Sequence, residues 1–183
     1  MSETRSILLI VSGGIAAYKA LELIRLIRQR GMRVRCILTR GGAHFVTALS
    51  LGALSGEKVY EDLWSLTDEA EMGHIRLARD CDLVAVVPAS ADMLAKMAGG
   101  HADDLATTVL LATDKPVLAA PAMNPAMWVH PAVQANVETL RKRGIYLCGP
   151  DDGAAACGET GTGRMSEPET LLEAIDDIFA RTA

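Results

Sequence analysis

Residues 6–15 read SILLIVSGGI, an unbroken apolar run that ends in a serine and two glycines. A run of this kind, without the alternation of a half-exposed strand, is the pattern of a parallel strand buried on both faces. Beyond Gly13-Gly14 the apolar residues Ile15, Leu23, Leu26 and Ile27 recur at helical spacing up to Arg30, and Gly31 is placed to close the helix. Strand, glycine turn and helix in this order form the first half of a βαβ unit.

Working outward, the alternation repeats. Met32 to Thr39 (MRVRCILT) reads as a second strand, Ala43 to Leu54 as a weaker helix and Lys58 to Tyr60 as a short strand. Leu83 to Pro88 and Pro116 to Ala120 read as two buried strands, with helical stretches around Met93 to Ala98 and Asp104 to Ala112 between them. Pro131 suits the first turn of a helix to Arg143, Gly144 caps it, and Ile145 to Cys148 supplies a further strand. Ser166-Glu167-Pro168-Glu169 has the capping-box spacing for a last helix. Parallel strands need such crossovers, so the pattern predicts an α/β fold with a doubly wound parallel sheet, a single domain over residues 1–183.

Composition agrees. The 183 residues exceed the ~150 of a typical domain too little to build a second one. Half the residues are hydrophobic, 22% are charged, and the mean hydropathy is +0.20, which places the chain among core-forming proteins. A net charge of -5 argues against nucleic acid or an anionic membrane as partner. No apolar run reaches the roughly 18 residues of a membrane span, and the polar start is unlike a signal peptide, so a cytoplasmic protein is expected. The eight Met suit core gaps or an oligomer interface. The four Cys have no C-x-x-C spacing and the four His no H-x-x-x-H pair, so neither a metal site nor a disulfide framework is expected. Cys36 and Cys81 flank apolar strands and read as core residues.

Ligands of a doubly wound sheet bind beyond the carboxyl ends of its strands. Here those ends are Ser12-Gly13-Gly14, Thr39-Arg40-Gly41-Gly42, Pro88-Ala89-Ser90-Ala91-Asp92, Pro121-Ala122-Met123-Asn124 and Gly149 onward. Ser12-Gly13-Gly14-Ile15 before a helix favours a bound phosphate, although it is not G-x-G-x-x-G. No acidic residue follows strand two to hold the ribose of NAD, while Ser12, Thr39 and Ser90 offer hydroxyl donors to a mononucleotide. A tight turn without ligand is the competing reading. Residues 149–165 (GPDDGAAACGETGTGRM) are too rich in Gly for a regular element and read as a flexible loop covering a site.

Several runs then occur in order. They are Ser12-Gly-Gly-Ile-Ala-Ala-Tyr-Lys19, His74-Ile-Arg-Leu-Ala78, Pro88-Ala-Ser-Ala91, Gly100-His-Ala-Asp-Asp-Leu105, Pro121-Ala-Met-Asn-Pro-Ala-Met-Trp128, Ala156-Cys-Gly-Glu159 and Gly163-Arg-Met165. Together they resemble the flavin-containing cysteine decarboxylases, above all the phosphopantothenoylcysteine decarboxylase domain of bacterial coenzyme A biosynthesis. The resemblance spans Ile7 to Ile178 and implies a Rossmann-like flavoprotein. It implies FMN at Gly13, Gly14, Ile15, Thr39, Ser90, Ala91, Asp92, Met93 and Ala122, with Asp92 standing where many relatives have Asn. It implies substrate contacts from Met123, Asn124 and Arg164, catalytic roles for His74 and Cys157, and a homotrimer with shared active sites, in bacterial relatives often assembled further to a dodecamer. In many bacteria a phosphopantothenate-cysteine ligase domain follows in the same chain. With the sequence stopping at Ala183, that second activity is not expected in these residues.

The chemistry explains the set. An N-acylated cysteine carboxylate has no carbonyl placed to accept the electrons released with CO2. A flavin creates a sink by taking a hydride from the CH2–S carbon, giving a thioaldehyde; after CO2 loss the enethiolate is reduced again, with 4'-phosphopantetheine as product. The return step needs a proton donor, for which the thiol of Cys157 is suited. His74 fits a base near neutral pH, though a lone His is more often structural. Asn124 fits either a carboxylate-holding amide or an Asx turn. Flavin prenyltransferases, peptidyl-cysteine decarboxylases and a regulatory flavoprotein subunit binding a protein phosphatase are the weaker alternatives.

Overall fold

A computed structural model describes residues 4–64, 73–154 and 158–182. Its chain runs β1 (Ser6–Val11), α1 (Tyr18–Gln29), β2 (Arg33–Leu38), α2 (Ala48–Ser55), β3 (Val59–Tyr60), α3 (Gly73–Arg79), β4 (Leu83–Ala89), α4 (Ala91–Gly99), α5 (Leu105–Ala112), β5 (Val117–Pro121), α6 (Pro125–Trp128), α7 (Pro131–Lys142), β6 (Tyr146–Leu147), β7 (Asp151–Ala154), β8 (Thr160–Arg164) and α8 (Pro168–Thr182). Strands pair in the order β3-β2-β1-β4-β5-β6, every pair parallel. The doubly wound α/β fold expected from the alternation is therefore the observed one.

Period two along β1 divides the core. Ile7, Leu9 and Val11 face α1, α2 and α8, with Leu23, Ile24, Ile27, Leu51 and Ile175. Leu8 and Ile10 face the other side, with Leu77, Leu94, Val109 and Leu140 from α3, α4, α5 and α7. Both sets are buried, and each such side chain withdrawn from water contributes about 1.5–3 kcal/mol. Cys36 and Cys81 belong to these layers; burial pushes their thiols up to about 12 and about 11.

The structure corrects the sequence reading in three places. The Gly-rich stretch after Gly149 carries an antiparallel hairpin, β7 against β8, with Asp152 paired to Thr162 and Gly153 to Gly161. Its glycines serve close approach. A Cβ on Gly161 would stand 3.0 Å from Pro125 Cβ, and one on Gly163 would collide with the Met123 carbonyl oxygen. The weak helix over Ala43 to Leu54 is a 3-10 turn at Gly42–His44 followed by α2, which starts at the capping box of Thr47 and Ser50. Ser166 forms no capping box with Glu169; its hydroxyl donates to Asp151 Oδ1 at 2.8 Å, tying the start of α8 to the hairpin.

Candidate active site

The order of the sheet reverses between β1 and β4, and there the two strand ends are stapled. Ser12 is buried, its Oγ donates to the Pro88 carbonyl oxygen at 2.7 Å and accepts from the Ser90 amide at 3.1 Å. Thr39 Oγ1 likewise donates to the Val11 carbonyl at 3.2 Å and accepts from the Gly42 amide at 3.1 Å. Two of the three hydroxyls expected to donate to a phosphate are thus committed to the backbone. Ser90 keeps its proton free. As the N-cap of α4 its Oγ only accepts, from the Met93 amide at 3.1 Å, and its O–H has no acceptor among the described residues.

Glycine shapes the neighbouring turn. A Cβ on Gly13 would lie 3.1 Å from the Gly41 carbonyl carbon, and Gly14 adopts φ 147, open only to glycine. The ends of β1 and β2 therefore meet backbone to backbone at the turn that leads towards α1. This cradle, the free Ser90 hydroxyl and the apolar cleft beside them suit a planar cofactor carrying one phosphate, as FMN does.

The cleft encloses about 480 Å³ and is lined by Gly14, Ile15, Ala122, Met123, Asn124 and Arg164, all expected site residues, together with Lys19. Gly13, Thr39, Ser90, Ala91, Asp92 and Met93 are not among its lining residues; the first three follow the ends of β1, β2 and β4, and the last three open α4. Of these, Met93 turns its side chain into the core, and the Asp92 carboxylate points outward, 3.8 Å from Lys96 Nζ. Asn124 caps α6 through Oδ1, which accepts from the Ala126 amide at 2.7 Å, while Nδ2 donates to Glu159 Oε2 at 2.6 Å. The turn reading is thus the observed one, and the other end of the amide meets a carboxylate of the chain itself.

His74 is not brought to this cleft. It sits at the start of α3 and lines a separate small crevice with Tyr60, Asp62, Leu63, Leu77 and Leu105. Cys157 lies outside the described residues. Sequence reasoning quoted Lys19 only as the end of a motif. Its side chain is only 11% exposed, and Nζ donates to the Met165 carbonyl at 3.1 Å and to Glu167 Oε1 at 2.8 Å. Arg164 reaches the same oxygen at 3.1 Å, and Lys19, with Arg164 behind it, holds the Glu167 carboxyl below the usual carboxylate range. The available signal was the four-residue spacing of Ile15 and Lys19 beyond the glycine turn, both of which line the cleft. Glu159 was quoted only as part of a motif.

Among curated proteins, the chain is 48% identical over 171 residues to the coenzyme A biosynthesis bifunctional protein CoaBC of Haemophilus influenzae, covering 93% of this chain and 43% of that protein. It is 48% identical over 169 residues to the CoaBC protein of Escherichia coli, covering 92% and 42%. The chain thus spans less than half the length of these relatives. Among solved structures, a cysteine-to-serine variant of a PPC decarboxylase complexed with pantothenoylaminoethenethiol superposes with a TM-score of 0.84 at 32% identity, covering 97% of this chain and all of that one. The FMN binding protein AtHal3 superposes with a TM-score of 0.82 at 33% identity, covering 99% of each chain. A family model described as Flavoprotein matches residues 1–180, so every residue that builds the sheet and its strand-end cleft falls within the match, and the chain belongs to the Flavoprotein family.

Proposed function

We propose that this chain carries out the FMN-dependent decarboxylation of 4'-phosphopantothenoylcysteine to 4'-phosphopantetheine. The observation that carries the reading is the Asn124 amide, fixed by its own helix cap, with Nδ2 donating to a carboxylate beside a glycine-shaped cleft. The names of the relatives support it: a PPC decarboxylase complexed with pantothenoylaminoethenethiol, and proteins of coenzyme A biosynthesis. CoaBC proteins of several bacteria are 42–48% identical to the chain, which favours this substrate over a peptidyl cysteine or a phosphatase partner.

Bound FMN supplies a reversible two-electron sink for the substrate's CH2–S carbon. The cradle at Gly13 and Gly14, the Ser90 hydroxyl, and the strand-end positions Ile15, Thr39, Ala91, Asp92, Met93 and Ala122 form its proposed seat. Asn124 holds the substrate carboxylate through an uncharged donor, which orients it without neutralising it, and Met123 and Arg164 line the path. His74 is the proposed base for the thiol, and Cys157 the proton donor to the enethiolate. Because His74 lies away from the Asn124 cleft, its action calls for a neighbouring copy. Ile15, Tyr18 and Leu49, exposed by 60%, 58% and 82%, offer the apolar surface for such an assembly, and a homotrimer, further joined to a dodecamer, is the proposed state. No helix among the described residues is long and apolar enough to cross a membrane, and a cytoplasmic enzyme is proposed. Residues 1–183 are proposed as one decarboxylase domain, with a phosphopantothenate-cysteine ligase domain beside it in a full-length protein of the relatives' size.

Absorption spectroscopy of the purified protein, then product mass after incubation with phosphopantothenoylcysteine, tests the function. A flavin spectrum and phosphopantetheine are expected. A colourless protein that nonetheless turns over would sink it.

A further inference from the structure

We infer that Glu159 is a built-in stand-in for the substrate carboxylate, occupying the Asn124 amide between turnovers and yielding it when a carboxylate ligand enters. The inference rests on the decarboxylase reading and adds a residue that tunes affinity. Its geometry is set by the backbone. The Met123 amide donates to the Gly163 carbonyl at 3.0 Å, and neither Gly161 nor Gly163 leaves room for a Cβ against residues 123–125. The β8 strand therefore lies flat on the Asn124 segment, and Glu159, the residue before it, falls over the amide. Because Asn124 Oδ1 is held by the Ala126 amide, the side chain cannot flip, and Nδ2 keeps facing the hairpin.

A second carboxylate approaching Nδ2 meets the Glu159 charge within a few ångströms. Two carboxylates so close repel, and the exposed one on a flexible side chain is the cheaper to move into water. Once CO2 has left, the ligand no longer carries a group for Nδ2, and Glu159 can take the donor back. Glu159 therefore weakens ligands that carry the carboxylate and leaves those without it untouched.

Two competitive inhibitors separate these cases in the flavin-loaded protein. One is 4'-phosphopantothenoylserine, which keeps the carboxylate and replaces the thiol; the other is 4'-phosphopantetheine, which lacks the carboxylate. In Glu159→Ala and in the isosteric Glu159→Gln, the inhibition constant of the serine compound should fall by about two- to fivefold, the scale of one exposed ionic contact. That of phosphopantetheine should stay at the parent value. If both constants move together, Glu159 only supports the hairpin; if neither moves, or the serine compound binds more weakly, the stand-in role is wrong. Glu159→Gln keeps the side-chain volume, so the comparison survives a hairpin loosened by Ala. Failure of the decarboxylase reading appears earlier and differently, as a parent protein that binds neither compound and releases no phosphopantetheine, and it would take this inference with it.

Discussion

Ser12 Oγ stands 2.7 Å from the Pro88 carbonyl oxygen and receives the Ser90 amide, so one hydroxyl joins the two strand ends between which the sheet reverses its order. Ser12→Ala leaves the buried Pro88 carbonyl and the part-buried Ser90 amide without their partner, and a loss of about 1–3 kcal/mol in unfolding free energy is expected. Because Ser90 would lose its placement, flavin retention should fall as well. Urea denaturation and the ratio of flavin to protein absorbance measure the two effects; full stability with full flavin content would contradict the staple.

Asn124→Asp replaces the amide donor by a carboxylate facing both Glu159 and the substrate carboxylate. Flavin content should be unchanged, while kcat/KM should drop at least tenfold, the scale of about 1.4 kcal/mol. Steady-state kinetics decide the matter. Normal turnover would reduce Asn124 to its capping role at α6.

His74→Asn is expected to keep assembly and flavin and to lose CO2 release. Gel filtration, the visible spectrum and a CO2 assay report these separately. A variant that loses flavin or falls apart would return His74 to a structural role in the crevice with Tyr60 and Leu105.

Cys157→Ser keeps a hydroxyl of similar size with far weaker acidity. Oxidation and CO2 loss should proceed, and the return of the hydride should stall for want of a proton. Reduced flavin and an enethiol product two hydrogens lighter than phosphopantetheine are the expected signs, read by bleaching of the flavin band and by mass. Ordinary product at the parent rate would make the thiol a bystander.

Burial raises Cys36 from the ordinary thiol value of 9.0 to about 12, against a smaller opposing effect of Ser55. The folded thiol therefore stays neutral where the unfolded one ionises. Stability from this group is complete below pH 9.0 and is lost between pH 9.0 and about 12, by about 1.4 kcal/mol per pH unit at most. Unfolding free energy of the parent should fall more steeply over that window than that of Cys36→Ala. Parallel curves would disprove the linkage.

The fold was legible in the sequence, and so were the strand ends that border the cleft. Buried parallel strands need continuous apolar runs such as SILLIVS, their crossovers need helical periodicity, and turns need glycine; each is a local requirement written in neighbouring residues. The same locality placed Gly14, Ile15, Ala122, Met123, Asn124 and Arg164, which follow or border strand ends and do line one cleft. Tertiary structure alone decided which groups remain available. Ser12 and Thr39 look identical to Ser90 as hydroxyls, but their protons go to carbonyls 76 and 28 residues away. Lys19 reaches Glu167 across 148 residues, and Glu159 meets Asn124 across 35. His74 sits in a crevice apart from the cleft where the motif suggested a shared centre. The Gly-rich stretch became a hairpin because its glycines admit the backbone of residues 123–125, a partner that no local pattern announces. Periodicity encodes which face a residue presents; the distant atom that meets it is fixed only when the layers pack.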